Sequence, residues 1–455
     1  MPASATNSLR VAVLADSDTR WKWGALTAHR LAPKDADIRL DGFLLRGRAT
    51  PTARQLQEVG VRPDSLREVT GLEFLRAMKE DTSKETRENA YDVIVLSLVG
   101  GGVQAILHGL RRAWDGRTKR PVVVTGYVGV VYEKLADGLL LRHGADLVLA
   151  NSRQDADRFR AVYEGVGADA SSVTEVALPF LGGKAYAGPD GPYTVVFAVQ
   201  PSVPDNRRDR MYLLNRLVQH ARLHPDRQVL LKLRSKPGEH TTHIEELPYQ
   251  KLTEKLPGGL PANFRLAYGN MGEVLDTTDL LVTVSSTAAL ESLHRRIPTV
   301  VLTDLGIRET LGNHHFVGSG CLASWDQLDA GYEPTPDPEW VARQGVMAGG
   351  TSRTESGGGS YATAFDTART RIAKLVTAPE LPPLAPYYTP VTAPGYLPGI
   401  LARHHLGPDG APLPGAPAED RQAGPVRQIV RRAARGAYRH GVQRVAPVIR
   451  RMGEL

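Results

Sequence analysis

The chain has 455 residues, 42% apolar and 23% charged, which is ordinary for a globular protein and enough for two or three domains. Its single cysteine, Cys321, excludes an intrachain disulfide and fits a reducing compartment. No apolar run approaches the length of a membrane span, and the opening MPASATNSLR has no apolar signal core, so a cytoplasmic protein is expected. The formal net charge of +7 comes from the last stretch: residues 425–455 carry eight arginines against one acid, Glu454. The rest of the chain balances, so the basic charge does not argue for a nucleic-acid partner.

The first half alternates apolar strands with helical stretches. Leu9–Ala15 (LRVAVLA) reads as a buried strand, followed by Asp16, Ser17, Asp18 and Thr19 and a helix over 20–31. A strand over Ile38–Leu45 and a helix over 51–60 come next. YDVIVLSL at 91–98 is a strong strand that runs into Gly100, Gly101 and Gly102 and a helix to Trp114. Further strands at 121–125 and 146–150 lead into the GYVGVVYE segment, with Gly129, Tyr132 and Glu133, and into Asn151 and Ser152. Such alternation means a parallel, doubly wound sheet, whose ligands bind outside the carboxyl ends of the strands. Asp16, Asp18, Gly101 and Gly129 are expected on that edge. The triple glycine does not match GxGxxG, so a dinucleotide site is not expected.

Residues 179–193 are rich in Gly and Pro and read as a linker, after which the alternation restarts. The strand over 228–233 exits into KLRSKPGEHTTH, which holds Lys232, Arg234, Lys236, His240 and His243. Cations and histidines after a strand end suit a phosphate or carboxylate. His240 and His243 have no evident third ligand, so no metal is assigned. DLLVTVSSTAALESLHRRIPTVVLTD at 279–304 reads as strand, turn, helix, strand. Ser285, Ser286 and Thr287 stand where the helix begins, and its unpaired amides and dipole favour an anion. Glu291, about one and a half turns on, can accept from a ribose or a base. The plain alternative is that Ser286 or Thr287 only caps the helix and Glu291 is solvated. Asn313, His314 and His315 are further candidates for sugar or base contacts.

At the end of the chain, 361–375 reads as a helix closing the second domain. Residues 379–424, dense in Pro, Gly and Ala, read as a linker with little structure. Residues 425–455 interleave arginines with apolar positions and read as a basic amphipathic helix for an anionic membrane surface.

VLADSDTRWKWG, GVVYEKLADGLLLRHGADLVLANS, KLRSKPGEHTTH and LLVTVSSTAALES, in that order, resemble a family described as glycosyltransferases of the two-domain GT-B type. More distantly the chain is similar to polysialyl, ulosonic-acid and teichoic-acid transferases that use CMP- or CDP-activated donors. The resemblance implies two Rossmann-like domains facing a cleft, 8–180 for the acceptor and 190–378 for the donor. It implies transfer from a nucleotide sugar, a CMP-linked one included, to a surface glycan or cell-wall polymer, without metal or cofactor. Ser285 and Ser286 match the Ser-Ser motif that grips donor phosphate in those enzymes. Lys232 and the segment 234–237 occupy the place of their His-Pro motif, although Arg234 stands where they place histidine. Asp16 or Asp18 matches the first-strand acidic base.

The aspartates keep other readings. DxD can hold a divalent metal, and a strand ending in DxDxT locally resembles the first motif of haloacid-dehalogenase-type phosphatases. Asp18 can also be a plain helix cap. A phosphatase-type hydrolase and a non-catalytic nucleotide-binding membrane protein are the alternatives.

Overall fold

The computed structural model describes residues 8–33, 36–47, 49–82, 90–130, 135–236, 239, 245, 247–345 and 361–415. The chain forms two compact units, one built mainly from residues up to Phe180, the other from Leu181 to Ala342.

The first unit runs β1 (Leu9–Ala15), α1 (Asp18–Leu31), β2 (Ile38–Leu45), α2 (Ala53–Val59), β3 (Ser65–Val69), α3 (Gly71–Asp81), β4 (Val93–Ser97) and α4 (Gly100–Ala113). It continues with β5 (Val122–Gly126), α5 (Leu135–Leu140), β6 (Leu147–Ala150), α6 (Arg153–Gly165) and β7 (Val173–Glu175). All seven strands are parallel, in the order β3-β2-β1-β4-β5-β6-β7. The order reverses between β1 and β4, where a doubly wound sheet opens a crevice at its carboxyl edge. Period-two alternation divides β1 between two cores. Ala12 and Leu14 face Phe74, Ile106 and Tyr163, whereas Val11, Val13 and Ala15 face Trp21, Trp23 and Ala28. Gly126 ends β5 where α1 crosses closely: a Cβ there would lie 2.8 Å from Trp23 Cζ2 and 2.9 Å from the Leu149 carbonyl oxygen.

The second unit runs β8 (Thr194–Ala198), α7 (Arg207–Leu223), β9 (Gln228–Lys232), α8 (Tyr249–Thr253), β10 (Phe264–Ala267), α9 (Met271–Leu275), β11 (Leu280–Thr283), α10 (Ala288–His294), β12 (Thr299–Leu302), β13 (Leu322–Ala323), α11 (Trp325–Asp329) and α12 (Pro338–Arg343). Its six parallel strands lie in the order β10-β9-β8-β11-β12-β13, with the reversal between β8 and β11. Two doubly wound α/β units are therefore the class that the sequence predicts.

The chain beyond the second unit differs from expectation. Helix α13 (Asp366–Thr377) and helix α14 (Leu397–Ala402) pack on the first unit, not the second. Ile372 and Phe365 join the core beneath α1, and Arg371 donates to the Thr174 hydroxyl at 2.7 Å. Residues 381–415, expected as a linker, lie along the opposite face and bury Leu384, Leu397, Leu401 and Leu406. Their Pro and Gly content hid these apolar anchors, which are spaced too irregularly to show a period. The basic tail, 425–455, lies outside the described residues. Among those residues, no helix is long and apolar enough to cross a membrane.

Candidate functional site

In the first unit, the turn between β1 and α1 is tied across the switch point. One Asp16 carboxylate oxygen accepts from Arg20 Nη1 at 2.8 Å, and the other accepts from the Val99 amide at 3.0 Å. Val99 is the residue before α4, so Asp16 locks the start of that helix to the end of β1. The cap of α1 is Ser17, whose hydroxyl accepts from the Arg20 amide at 3.4 Å. Asp18 is thus not the cap. It sits half-buried in the first turn and accepts from the Thr19 hydroxyl at 3.3 Å. Gly101 lies in the first turn of α4, where an added Cβ would meet Ile400 of α14 at 3.6 Å. Gly129 is half-buried in the loop after β5. Tyr132 and Glu133 lie outside the described residues.

Two residues at this edge carried no sequence signal. Arg142, buried, donates to the carbonyls of Gly126 at 3.0 Å, Gly138 at 2.7 Å and Leu98 at 3.3 Å. Its guanidinium also stacks 4.0 Å from the Tyr127 ring centroid. Burial lowers its affinity for the proton, partly offset by Tyr127 and more weakly by Asp16. His404, from the segment after α14, is within electrostatic reach of Asp16, and burial holds its pKa below the usual histidine value. Apart from the bond to Gly138, these contacts are not local in sequence, so no spacing rule points to them.

In the second unit, the loops after β8, β9 and β11 meet at the carboxyl edge. Ser285 is 1% exposed. Its hydroxyl donates to the Leu311 carbonyl and lies 3.0 Å from Gln200 Nε2, while its amide donates to Gln200 Oε1 at 3.0 Å. Gln200 therefore joins the end of β8 to the end of β11, a bridge sequence reading missed. Ser286 is half-buried; its hydroxyl accepts from the Ala288 amide at 3.2 Å. Thr287 is half-buried, already helical at φ −55°, and makes no side-chain cap bond. Glu291 is 8% exposed in α10 and so is not the solvated residue of the plain alternative.

Lys232 is buried, with Nζ donating to the Leu233 carbonyl at 2.8 Å. Arg234 is half-buried. Lys236 is exposed, with Nζ 5.8 Å from the Tyr268 ring centroid. His240 and His243 lie outside the described residues. The loops are braced from below by Arg210 of α7, which is 1% exposed. It pairs with Glu245, donates to the carbonyls of Pro201 at 2.9 Å and Pro204 at 3.1 Å, and stacks on Tyr249. Asn313 is spent on its own loop, donating to the carbonyls of Leu302 at 3.2 Å and Gly306 at 2.8 Å. His315 is buried against Phe316 and Trp340, and neither residue is presented for a ligand here.

A family model matches residues 11–356. The chain belongs to the family described as "Putative glycosyltransferase (DUF6716)". The match to this family takes in both switch points and all strands of the two sheets save the first two residues of β1. No curated protein matches the chain. Among solved structures, it is similar to a "putative UDP-N-acetylglucosamine 2-epimerase" from Listeria monocytogenes. That likeness is 12% identical with a TM-score of 0.49, covering 82% of this chain and 98% of that one. A UDP-GlcNAc 2-epimerase from Neisseria meningitidis, solved with UDP-GlcNAc, is 10% identical with a TM-score of 0.46, covering 80% and 100%. The glycotransferase of kitacinnamycin is 13% identical with a TM-score of 0.41, covering 81% and 95%.

Proposed function

We propose that the protein transfers a sugar from a nucleotide-activated donor to a surface glycan or cell-wall polymer, with CMP-linked donors the first to test. The observation that carries this reading is the family match through both units, from residue 11 to 356. Polar side chains gathered at the carboxyl edge of each sheet support it. In this reading the second unit binds the donor. Ser286, Thr287, Arg234 and Lys236 contact its phosphate, and Lys232 and Ser285 hold the loops from beneath. His240, His243 and Glu291 serve the nucleoside and sugar. Fixed cations and hydroxyls then stabilise charge on the departing phosphate, and no metal is needed.

The first unit takes the acceptor, with Gly101, Gly129, Tyr132 and Glu133 beside it. Asp16 is committed to Arg20 and to the Val99 amide and acts as a positioning residue. Asp18 removes the acceptor proton. The arginine-rich tail holds the enzyme at the inner face of an anionic membrane.

A thermal-shift series with CMP, CDP, UDP, GDP and ADP, in EDTA and in Mg²⁺, tests the donor side. One nucleotide should raise the Tm in EDTA, and Ser286→Ala and Arg234→Ala should shrink that rise. If none does, the phosphate grip is wrong. Phosphate-ester hydrolysis that requires Mg²⁺ and is lost in Asp16→Asn would favour the hydrolase instead. With the donor known, Asp18→Asn should lower kcat by about 10²–10⁴-fold and leave nucleotide binding intact. An unchanged kcat removes Asp18 from the chemistry.

A further inference from the structure

His220, in the last turn of α7, and His224, the residue that caps the end of that helix, stand four residues apart. Their ring centroids are 4.6 Å apart. Asp329, the last residue of α11, reaches the same point: its Oδ1 lies 2.7 Å from His220 Nδ1. One ligand atom from each of the three lies within 4.8 Å of the other two. Arg216 holds the second Asp329 oxygen at 3.0 Å and Asp326 at 2.7 Å, which fixes the carboxylate against α7.

This cluster leaves polar atoms unused. Nε2 of His220 and Nε2 of His224 are both buried and have no hydrogen-bond partner. His220 itself is 0% exposed. A buried imidazole nitrogen carrying a lone pair lacks a partner in a packed core, and at His224 a cation is one group that supplies it; at His220 the nitrogen that faces Asp329, and would face the ion, is Nδ1. Tetrahedral zinc with bonds of about 2.0–2.1 Å needs its ligands roughly 3.3 Å apart. The widest separation, up to 4.8 Å, must close by about 1.5 Å, a shift assigned to half-buried His224.

We propose that His220, His224 and Asp329 form a divalent-metal site, with zinc as its ion and water completing the shell. Two imidazoles and a carboxylate favour zinc over calcium or magnesium, which take oxygen ligands. The site is structural. Helix α7 returns from the carboxyl edge of β8 to the start of β9 at Gln228, so its last turn lies at the opposite edge of the sheet from Ser286 and Lys236. The metal joins α7 to α11, which follows β13 and packs over the sheet through Trp325 and Leu328. It takes no part in sugar transfer, and the proposal does not rest on that activity.

The test uses the full chain, stripped with EDTA and dialysed. Co²⁺ should bind with one equivalent and a visible absorption band of tetrahedral type. Zn²⁺ should displace it and raise the Tm by several degrees. His224→Gln and Asp329→Asn should lower Zn²⁺ affinity at least tenfold and remove the Tm rise. His220→Ala risks the core, so half-buried His224→Gln, with unchanged far-UV circular dichroism, is the deciding variant. No stoichiometric Co²⁺ band, or a Zn²⁺-induced rise that His224→Gln retains, overturns the site.

Discussion

Asp155 shows how one buried side chain sets a pH dependence. It lies in the first turn of α6, 4% exposed, where its amide donates to the Ser152 hydroxyl at 3.0 Å. Its Oδ1 has no hydrogen-bond partner, and Arg158 comes no nearer than 4.0 Å. Burial pushes its pKa from 3.8 up to about 6, against smaller opposing effects of Arg158 and Ser152. Between those two values the native state holds a proton that the unfolded chain has lost. The resulting stability is complete below the unfolded value and falls as pH rises through the native one. Asp155→Asn should therefore stabilise the protein at pH 7.5 by about 1–3 kcal/mol and change little at pH 3.5. Urea denaturation at the two pH values measures the difference, and an equal effect at both would rule out deprotonation as the cause.

At the scale of elements, the loops after β8 and β9 are held together by a buried ion pair. Arg210 of α7 carries the turn after β8 on its Nη1 and Glu245, from the loop after β9, on its Nη2. A guanidinium left without its carboxylate in that position keeps its desolvation penalty and loses the compensating charge. Glu245→Ala is expected to cost about 3–5 kcal/mol, and Arg210→Met in the same chain should recover part of that loss. A double-mutant cycle by chemical denaturation reads the coupling. Additive effects of the two substitutions would show that the pair does not act as a unit.

For the whole molecule, the segment after α13 is part of the first unit's core. Leu384, Leu397, Leu401 and Leu406 are each no more than 2% exposed. Each contributes about 1.5–3 kcal/mol of burial, so together they match the full stability of an ordinary domain. A chain ending at residue 380 should be insoluble or should melt far below the full chain. A scanning melt of the two forms decides it: equal Tm values would mean the segment is a dispensable covering.

The elements that could be read in advance were those whose apolar period is strong and local. β1 and β2 fall where LRVAVLA and the stretch at 38–45 place them. The edge strand β3 escaped because four of its five residues face solvent. The short β7 escaped because three residues carry no period. At the candidate site, Asp16 follows β1 and Ser285 follows β11, yet their partners, Val99 and Gln200, are 83 and 85 residues away. No local pattern encodes such a pairing. The sequence by itself determined two successive doubly wound α/β units, because alternating strands and helices at these lengths close into parallel sheets. Only the tertiary structure decided which oxygens are spent inside the fold, that residues 381–415 complete the first core, and that His220, His224 and Asp329 converge. Those outcomes depend on which distant groups compete for each buried donor and apolar face, and that competition is resolved only when the chain is packed.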